Sequence, residues 1–251
     1  MKSYVVALPV GSIGKTTLSR HVLSAFSPAP AILSIESASP SGDEVEILSR
    51  DDERGVRVLK ARLFAGAGRN TLIIDTGVTD GEMAAQVLSD LADVGQLPPD
   101  LTVVIPYLAG RKCAAGLERF AAWLPVGVRR VLVYAQIKGS ETEYRALLGS
   151  AAEKRVAEFC GEAGIEICPV PLRYSPLLDT DSPYHALIDE SGIAGVAGID
   201  LDALRAKATK ARGDVDAESR LGLALDGIGF ARKAAANLRA VYDYLSGEAQ
   251  S

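Results

Sequence analysis

The sequence predicts an α/β protein, a three-layer α/β/α arrangement around a mostly parallel sheet, followed by a helical C-terminal extension. Three observations carry that expectation. Short runs of aliphatic and β-branched residues alternate with longer segments whose apolar residues recur every three or four positions. The short runs lack polar alternation, as strands buried on both faces must. After Pro176 no such run recurs, and the chain becomes Ala-rich with helical periodicity.

In chain order, the strand candidates are Tyr4–Leu8, Ala31–Ile35, Thr71–Asp75, Leu101–Pro106, Arg130–Gln136 and Ile165–Val170. Each is followed by a polar or glycine-containing turn. Between them the periodicity predicts helices over Lys15–Phe26, Asp43–Ser49, Val56–Gly66, Gly81–Val94, Gly110–Trp123 and Glu141–Ala163. In the tail, helices are expected over Pro183–Asp189, Asp200–Arg212 and Asp216–Leu245. The last of these spaces Leu221, Leu225, Ile228, Leu238, Val241 and Leu245 along one stripe. The organisation expected is therefore a core over residues 1–175 and a helical extension over 176–251 packed on it, a single domain overall.

Composition bounds the function classes. The chain has 251 residues, and 27 Lys and Arg against 32 Asp and Glu leave a net charge of −5. That acidity disfavours a surface built wholly for nucleic acid, while leaving room for local basic patches. A length of this order buries a core without disulfides or structural metals. Cys113, Cys160 and Cys168 are odd in number and widely spaced, so no zinc set or C-x-x-C pair forms from them. No run approaches the roughly 18 apolar residues of a transmembrane helix. Tyr4 to Pro9 is too short for a signal peptide. A cytoplasmic protein with no membrane span is expected.

The chemistry concentrates in the first turn of the chain. Tyr4–Leu8 runs into Pro9-Val10-Gly11-Ser12-Ile13-Gly14-Lys15-Thr16-Thr17, and a helix follows. Strand, glycine-containing loop and helix opening on Gly-Lys-Thr form the context of a phosphate-binding loop. Gly11 and Gly14 let the backbone curl so that N–H groups of Ser12, Ile13 and their neighbours point inward, and the helix adds its positive end beneath the same anion. Lys15 supplies a point charge to the β- and γ-phosphates of a nucleotide, and the Thr16 hydroxyl a ligand to Mg²⁺, with Thr17 beside it. The loop departs from G-x-x-x-x-G-K-[ST] at one place: Pro9 stands where the first glycine is usual. A strand-turn-helix whose Gly and Lys merely make a tight connection is the plainer alternative.

Mg²⁺ needs a second ligand from a neighbouring strand. Asp75 closes Thr71-Leu72-Ile73-Ile74 and precedes Thr76-Gly77, the position of a Walker-B aspartate; a turn-capping Asp is the alternative. Glu36 and Asp43 flank Ser37-Ala38-Ser39-Pro40-Ser41-Gly42, where a nucleotide-dependent switch segment belongs. They either orient the attacking water and touch Mg²⁺ indirectly, or belong to a solvated loop with Asp43 as an N-cap. His21 and His185 have no hydrolytic partners and read as structural. With no G-x-S-x-G and no H-E-x-x-H, serine hydrolase and zinc protease chemistry lack carrier residues.

The Gly-Ser-Ile-Gly-Lys-Thr-Thr loop, the strand end Ile35-Glu36-Ser37 and the segment Ile73-Ile74-Asp75-Thr76-Gly77 resemble the ParA/MinD-like P-loop ATPases, and within them the StbB-type plasmid-stability proteins. The resemblance covers the first 137 residues or so. It implies a P-loop NTPase fold and a slow, Mg²⁺-dependent ATPase binding ATP and ADP. It also implies a nucleotide switch in plasmid stability, partition or conjugative transfer, with a protein partner and a homodimer as its associations. Gln136, after a late strand, corresponds to the family's adenine-contacting position, and Pro169–Leu172 to the other wall of the base site. ParA and MinD proteins place a signature lysine where this chain has Val10, and valine puts no charge on a phosphate. Arg111, Lys112 or Lys138 would have to replace it in a nucleotide-sandwich dimer; the StbB-type proteins share the absence.

Two other function classes stay open. A nucleotide-binding adaptor with little or no hydrolysis fits the departures at Pro9 and Val10. A P-loop kinase or ligase would need an acceptor site, for which there is no arginine-rich lid. Direct DNA contact would fall to the cluster Arg205, Lys207, Lys210 and Arg212 with Arg232, Lys233 and Arg239, or these make a solvated helical face.

Overall fold

The computed structural model describes residues 2–8, 10, 14–35, 46–48, 53–65, 71–77, 80–135, 137–138, 140–179, 182–187, 192–210 and 212–247, with backbone alone at 46–48, 53, 54, 111 and 208. The chain divides into two compact units, Met1–Leu172 with Val241–Ser251, and Arg173–Ala240.

Among the described residues, the first unit is built on seven parallel strands: β1 (Ser3–Val6), β2 (Ala31–Ile35), β3 (Glu46–Leu48), β4 (Leu72–Thr76), β5 (Leu101–Tyr107), β6 (Arg129–Tyr134) and β7 (Glu166–Ile167). Their order across the sheet is β3-β2-β4-β1-β5-β6-β7. The central strands β1, β4 and β5 are buried at every position, which is why their sequences show no alternation. The residues do alternate in which face they serve. Val5, Leu33, Ile35, Ile74, Val103, Ile105, Leu132 and Tyr134 join one core with Leu59 and Leu63 of α1 (Glu53–Phe64), Leu88 of α2 (Gly81–Asp93), Leu117 and Phe120 of α3 (Arg111–Trp123), Tyr144 of α4 (Glu141–Leu148) and Val156 of α5 (Ala151–Glu162). Tyr4, Val6, Ile73, Val104 and Val133 are equally buried on the other face. That face takes the helix after the first loop, Thr17–Ser24, whose Leu18, Val22 and Leu23 are fully buried. Helices thus flank a parallel sheet on both faces, the three-layer α/β/α arrangement expected.

Several elements differ from the sequence reading. The helix expected over Asp43–Ser49 contains a strand instead: Glu46–Leu48 pairs in parallel with Leu33–Ile35. The open edge of β2 satisfies its backbone, and a seven-residue helix has too few ladder bonds to compete. The single helix expected over Glu141–Ala163 is two. Gly149 caps the first, and the Ser150 side chain accepts a hydrogen bond from the Glu153 N–H to start the second. The strand expected to Val170 ends its ladder at Ile167, because Pro169 and Pro171 have no N–H to donate. The helix after the loop winds with π pitch over Thr17–Ser24. There the Ser19 hydroxyl donates to the Lys15 carbonyl at 2.9 Å, competing with the i+4 amide for that acceptor.

In the second unit, 3₁₀ turns at Pro176–Leu178 and His185–Leu187 precede α6 (Gly192–Ala197), α7 (Leu201–Lys210) and α8 (Val215–Ser246), the last of which enters the first unit at Val241. Of the helix expected at Pro183–Asp189, residues 183–187 are described: Pro183 and Tyr184 form a turn that runs into the 3₁₀ turn His185–Leu187. Tyr184 meets Phe230 edge-on at 5.0 Å, and Leu187 rests on Gly227, where any larger residue would collide with it. Among the described residues, no helix is long and apolar enough to cross a membrane.

Arg130 stitches the first unit together from inside. It is 8% exposed, and its guanidinium donates to the carbonyls of Leu124 (3.1 Å), Pro125 (2.8 Å) and Ala163 (3.1 Å). Arg130→Ala leaves those acceptors unsatisfied and is expected to cost roughly 2–4 kcal/mol, read as a lower midpoint in urea unfolding. All three cysteines are free and buried. Burial pushes the Cys160 and Cys168 thiols up to about 11 and raises Cys113 as well. At pH 8 they therefore hold almost no thiolate, and iodoacetamide should label none of them in folded protein and all three in denaturant.

Candidate functional site

The end of β1 delivers the chain to the carboxyl edge of the sheet between β4 and β5. Val6 pairs with Asp75 on one side and Val104 on the other. The loop that follows must turn over this edge. Gly14 closes the turn at φ +85°, a left-handed conformation that a side chain would strain. A Cβ at this position would also sit 3.4 Å from the Ala135 Cβ and 3.7 Å from Leu172. Those two neighbours come from the other side of the sheet edge. Leu172 is tied there by its N–H to the Tyr134 carbonyl (2.7 Å) and by its carbonyl to the Ile137 N–H (3.1 Å).

Lys15 opens the helix. Its side chain is 8% exposed and curls back over the loop, donating to the carbonyls of Leu8 and Val10 at 3.0 Å each. A buried ammonium needs such acceptors, and these hold it at the mouth of the loop. Thr16 is exposed, with helical backbone dihedrals, in the first turn of the helix. Thr17 beside it is half-buried.

Asp75 is 6% exposed at the end of β4, and the next residue locks the strand: the Thr76 hydroxyl donates to the Val6 carbonyl at 3.1 Å. The Gly77 N–H then donates to the Ile35 carbonyl at 2.7 Å, fastening the ends of β2 and β4. A larger residue there would have to displace the Asp80 side chain, and its Cβ would lie 3.2 Å from that carbonyl. Asp80 is 1% exposed at the start of α2. Sequence reasoning passed over this second buried carboxylate; its signal was an Asp directly before a helix-opening glycine, three residues past Gly77.

The structure thus gathers Gly14, Lys15, Thr16 and Thr17 on one turn and sets Asp75 at the end of the strand beside it. Gly11, Ser12 and Ile13, the carboxylates Glu36 and Asp43, and Gln136 lie outside the described residues. Lys112 and Lys138 are exposed near the same sheet edge, while the Arg111 side chain lies outside the described residues. In the second unit Arg205 is paired with Asp202 at 3.0 Å, Arg232 donates to the Ala197 carbonyl, and Lys207, Lys210 and Arg212 are exposed.

The donor set fits Mg²⁺ bound together with phosphate. One hydroxyl and one buried carboxylate are too few for a self-contained cation cage, the Lys15 ammonium being itself a cation suited to the anion, and among the described residues no three His, Cys, Asp or Glu side chains form one. Mg²⁺ characteristically takes one or two protein ligands and completes its shell with phosphate oxygens and water.

Val10 has a definite place. It packs into the core against α3, where Gly116 leaves room for it: a Cβ on Gly116 would lie 2.7 Å from the Val10 Cγ2. Position 10 therefore points into the protein, and its contact partner is a helix of its own unit.

The chain matches no protein-family model and no curated protein sequence.

The Val10–Gly116 contact makes a signed prediction. Alanine in a helix interior is favoured over glycine by about 1 kcal/mol, but here it must displace Val10, and such overpacking costs about 1–3 kcal/mol. Gly116→Ala should therefore lower the melting temperature of the parent and raise that of a Val10→Ala variant. The sign reversal in this double-mutant cycle isolates the contact.

Proposed function

We propose that this chain is a Mg²⁺-dependent P-loop ATPase of the ParA/MinD-like group, similar to the StbB-type proteins, that works as a slow nucleotide switch. The observation that carries the reading is the register of β1 and β4. It sets a buried Asp75 beside the strand that launches the Gly14-Lys15-Thr16 turn.

In this reading the loop amides and Lys15 bind the phosphates of ATP. The Lys15 ammonium trades its two carbonyl acceptors, Leu8 and Val10, for phosphate oxygens, a stronger charge-assisted pairing. Thr16 and Asp75 hold Mg²⁺, which when bound offsets charge developing on the phosphate oxygens. Ala135 and Leu172 close the loop from the far side and keep water from the back of Gly14. A carboxylate of the switch segment, Glu36 or Asp43, orients the attacking water. The Gly77 bond to Ile35 links the Asp75 turn to the strand that leads into that segment, so nucleotide state at Asp75 has a short path to it. The output is proposed to be a changed contact with a protein partner in a plasmid stability or transfer system, DNA being reached through that partner or through Lys207, Lys210 and Arg212.

A second reading, a nucleotide-binding adaptor with little hydrolysis, draws on the inward Val10. A lysine needed across a dimer interface has no counterpart at that position.

Calorimetric titration of ATP with and without Mg²⁺ tests the proposal. Lys15→Ala should weaken binding about 10- to 100-fold, the worth of one or two charged hydrogen bonds. Asp75→Asn should abolish the Mg²⁺ enhancement while leaving metal-free binding largely intact. Identical binding by parent and Lys15→Ala would sink the nucleotide reading, and binding without phosphate release in the presence of DNA and partner would favour the adaptor.

A further inference from the structure

The helix that follows the loop is wound in two patterns. It opens with an α-type bond, the Leu18 N–H donating to the Gly14 carbonyl at 3.0 Å, and closes with another, the Ser27 N–H to the Leu23 carbonyl at 3.1 Å. Between them Thr17–Ser24 is π-wound, with i+5 bonding over eight residues. Winding of this kind makes a helix wider and shorter for the same number of residues, and it is ordinarily confined to a single turn, frequently at a functional site. Each crossover between the two patterns also drops a backbone group from the ladder. A run this long therefore needs support, and the first turn supplies it. Ser19 is fully buried, and its hydroxyl donates to the Lys15 carbonyl at 2.9 Å. The Lys15 ammonium is in turn tied to the Leu8 and Val10 carbonyls. Together these ties hold the empty loop against the helix.

An α-wound alternative keeps the same core. Leu18, Ser19, Val22 and Leu23 are buried, and Phe26 packs on Tyr242 of α8 with ring centroids 5.7 Å apart. Residues four apart share a face in an α-helix, and the wider π turn keeps them there, so rewinding exposes none of these side chains. The packing of Phe26 on Tyr242 anchors the far end, and a change of rise therefore falls on the loop end, at Lys15 and Thr16. Bound phosphate favours the α form. It draws the Lys15 ammonium off the two carbonyls, and it gains from peptide dipoles aligned in an unbroken i+4 ladder beneath it. We propose that this helix is a two-state element, π-wound when the loop is empty and α-wound when it holds phosphate, with Ser19 as the latch of the empty state. The proposal rests on the nucleotide reading and adds its regulation: part of the binding energy goes into rewinding, so Ser19 sets the affinity without touching the ligand.

Through-hydrogen-bond NMR couplings on the full chain identify the carbonyl that each amide bonds, and they provide the test. In the free protein the amides of Val22, Leu23 and Ser24 should couple to the carbonyls of Thr17, Leu18 and Ser19. With saturating ADP and Mg²⁺ they should couple instead to Leu18, Ser19 and Arg20. Ser19→Ala removes the latch and adds no bulk. It should show the i+4 set without ligand and bind ADP and pyrophosphate about three- to tenfold more tightly by calorimetry, as expected when the binding-competent state becomes the major one. Ser24→Ala, at the end of the same stretch, makes the same change in helix preference away from the latch and should bind as the parent does. An i+4 pattern in the free protein would overturn the proposal, as would a Ser19→Ala variant that binds no more tightly than Ser24→Ala. Binding of ADP with i+5 bonding unchanged overturns the switch alone, whereas no binding of either probe sinks the nucleotide reading and the switch with it.

Discussion

The placement of Ser3–Val6 between β4 and β5 is the constraint on which the rest of the structure depends. A strand paired in parallel on both sides spends all its backbone hydrogen bonds on its neighbours, and every residue it carries must be apolar or packed. All polar business is thereby expelled to the carboxyl edge, where β1, β4 and β5 end together. The loop at the end of β1 and the carboxylate at the end of β4 are neighbours because the ladder makes them so. Thr76 reinforces the arrangement by bonding across to Val6, and Gly77 extends it by bonding to Ile35.

Burial at that edge also sets the electrostatics. Lys15 is an almost fully buried ammonium held by two carbonyls of its own loop, so the loop conformation and the position of the charge are one thing. The same helix that seats Val10 through Gly116 forms a wall of a cavity at Tyr107 and Glu153. On that side of the sheet Tyr134 meets Tyr107 edge-on at 5.2 Å and Tyr144 at 5.8 Å, a cluster that orients the Tyr134 hydroxyl onto Glu153. Two polar regions thus flank one helix, at the loop and beneath α5.

Where the sequence misled, it was at short segments whose fate depends on neighbours. Glu46–Leu48 is compatible with helix or strand by itself, and the open edge of β2 decided for strand. The Gly149-Ser150 pair reads as a tolerable blemish inside a long helical pattern, but a cap on each side makes two helices of it. Asp80 looks like any turn aspartate, and its burial follows only from Gly77 bringing the chain against Ile35.

By itself the sequence determined what depends on local chemistry and period: the alternation of buried strands with helices, the Gly14-Lys15-Thr16 turn after the first strand, and the aspartate that ends Leu72–Thr76. These are legible because burial demands continuous apolar runs and a tight strand-to-helix turn demands glycine at positive φ. Only the tertiary structure fixed the register that sets Asp75 beside Val6, turned Val10 inward onto Gly116, and brought Tyr107 against Glu153. Each of these joins residues far apart in the chain through the packing of a helix or strand, and no local preference encodes which surfaces will meet.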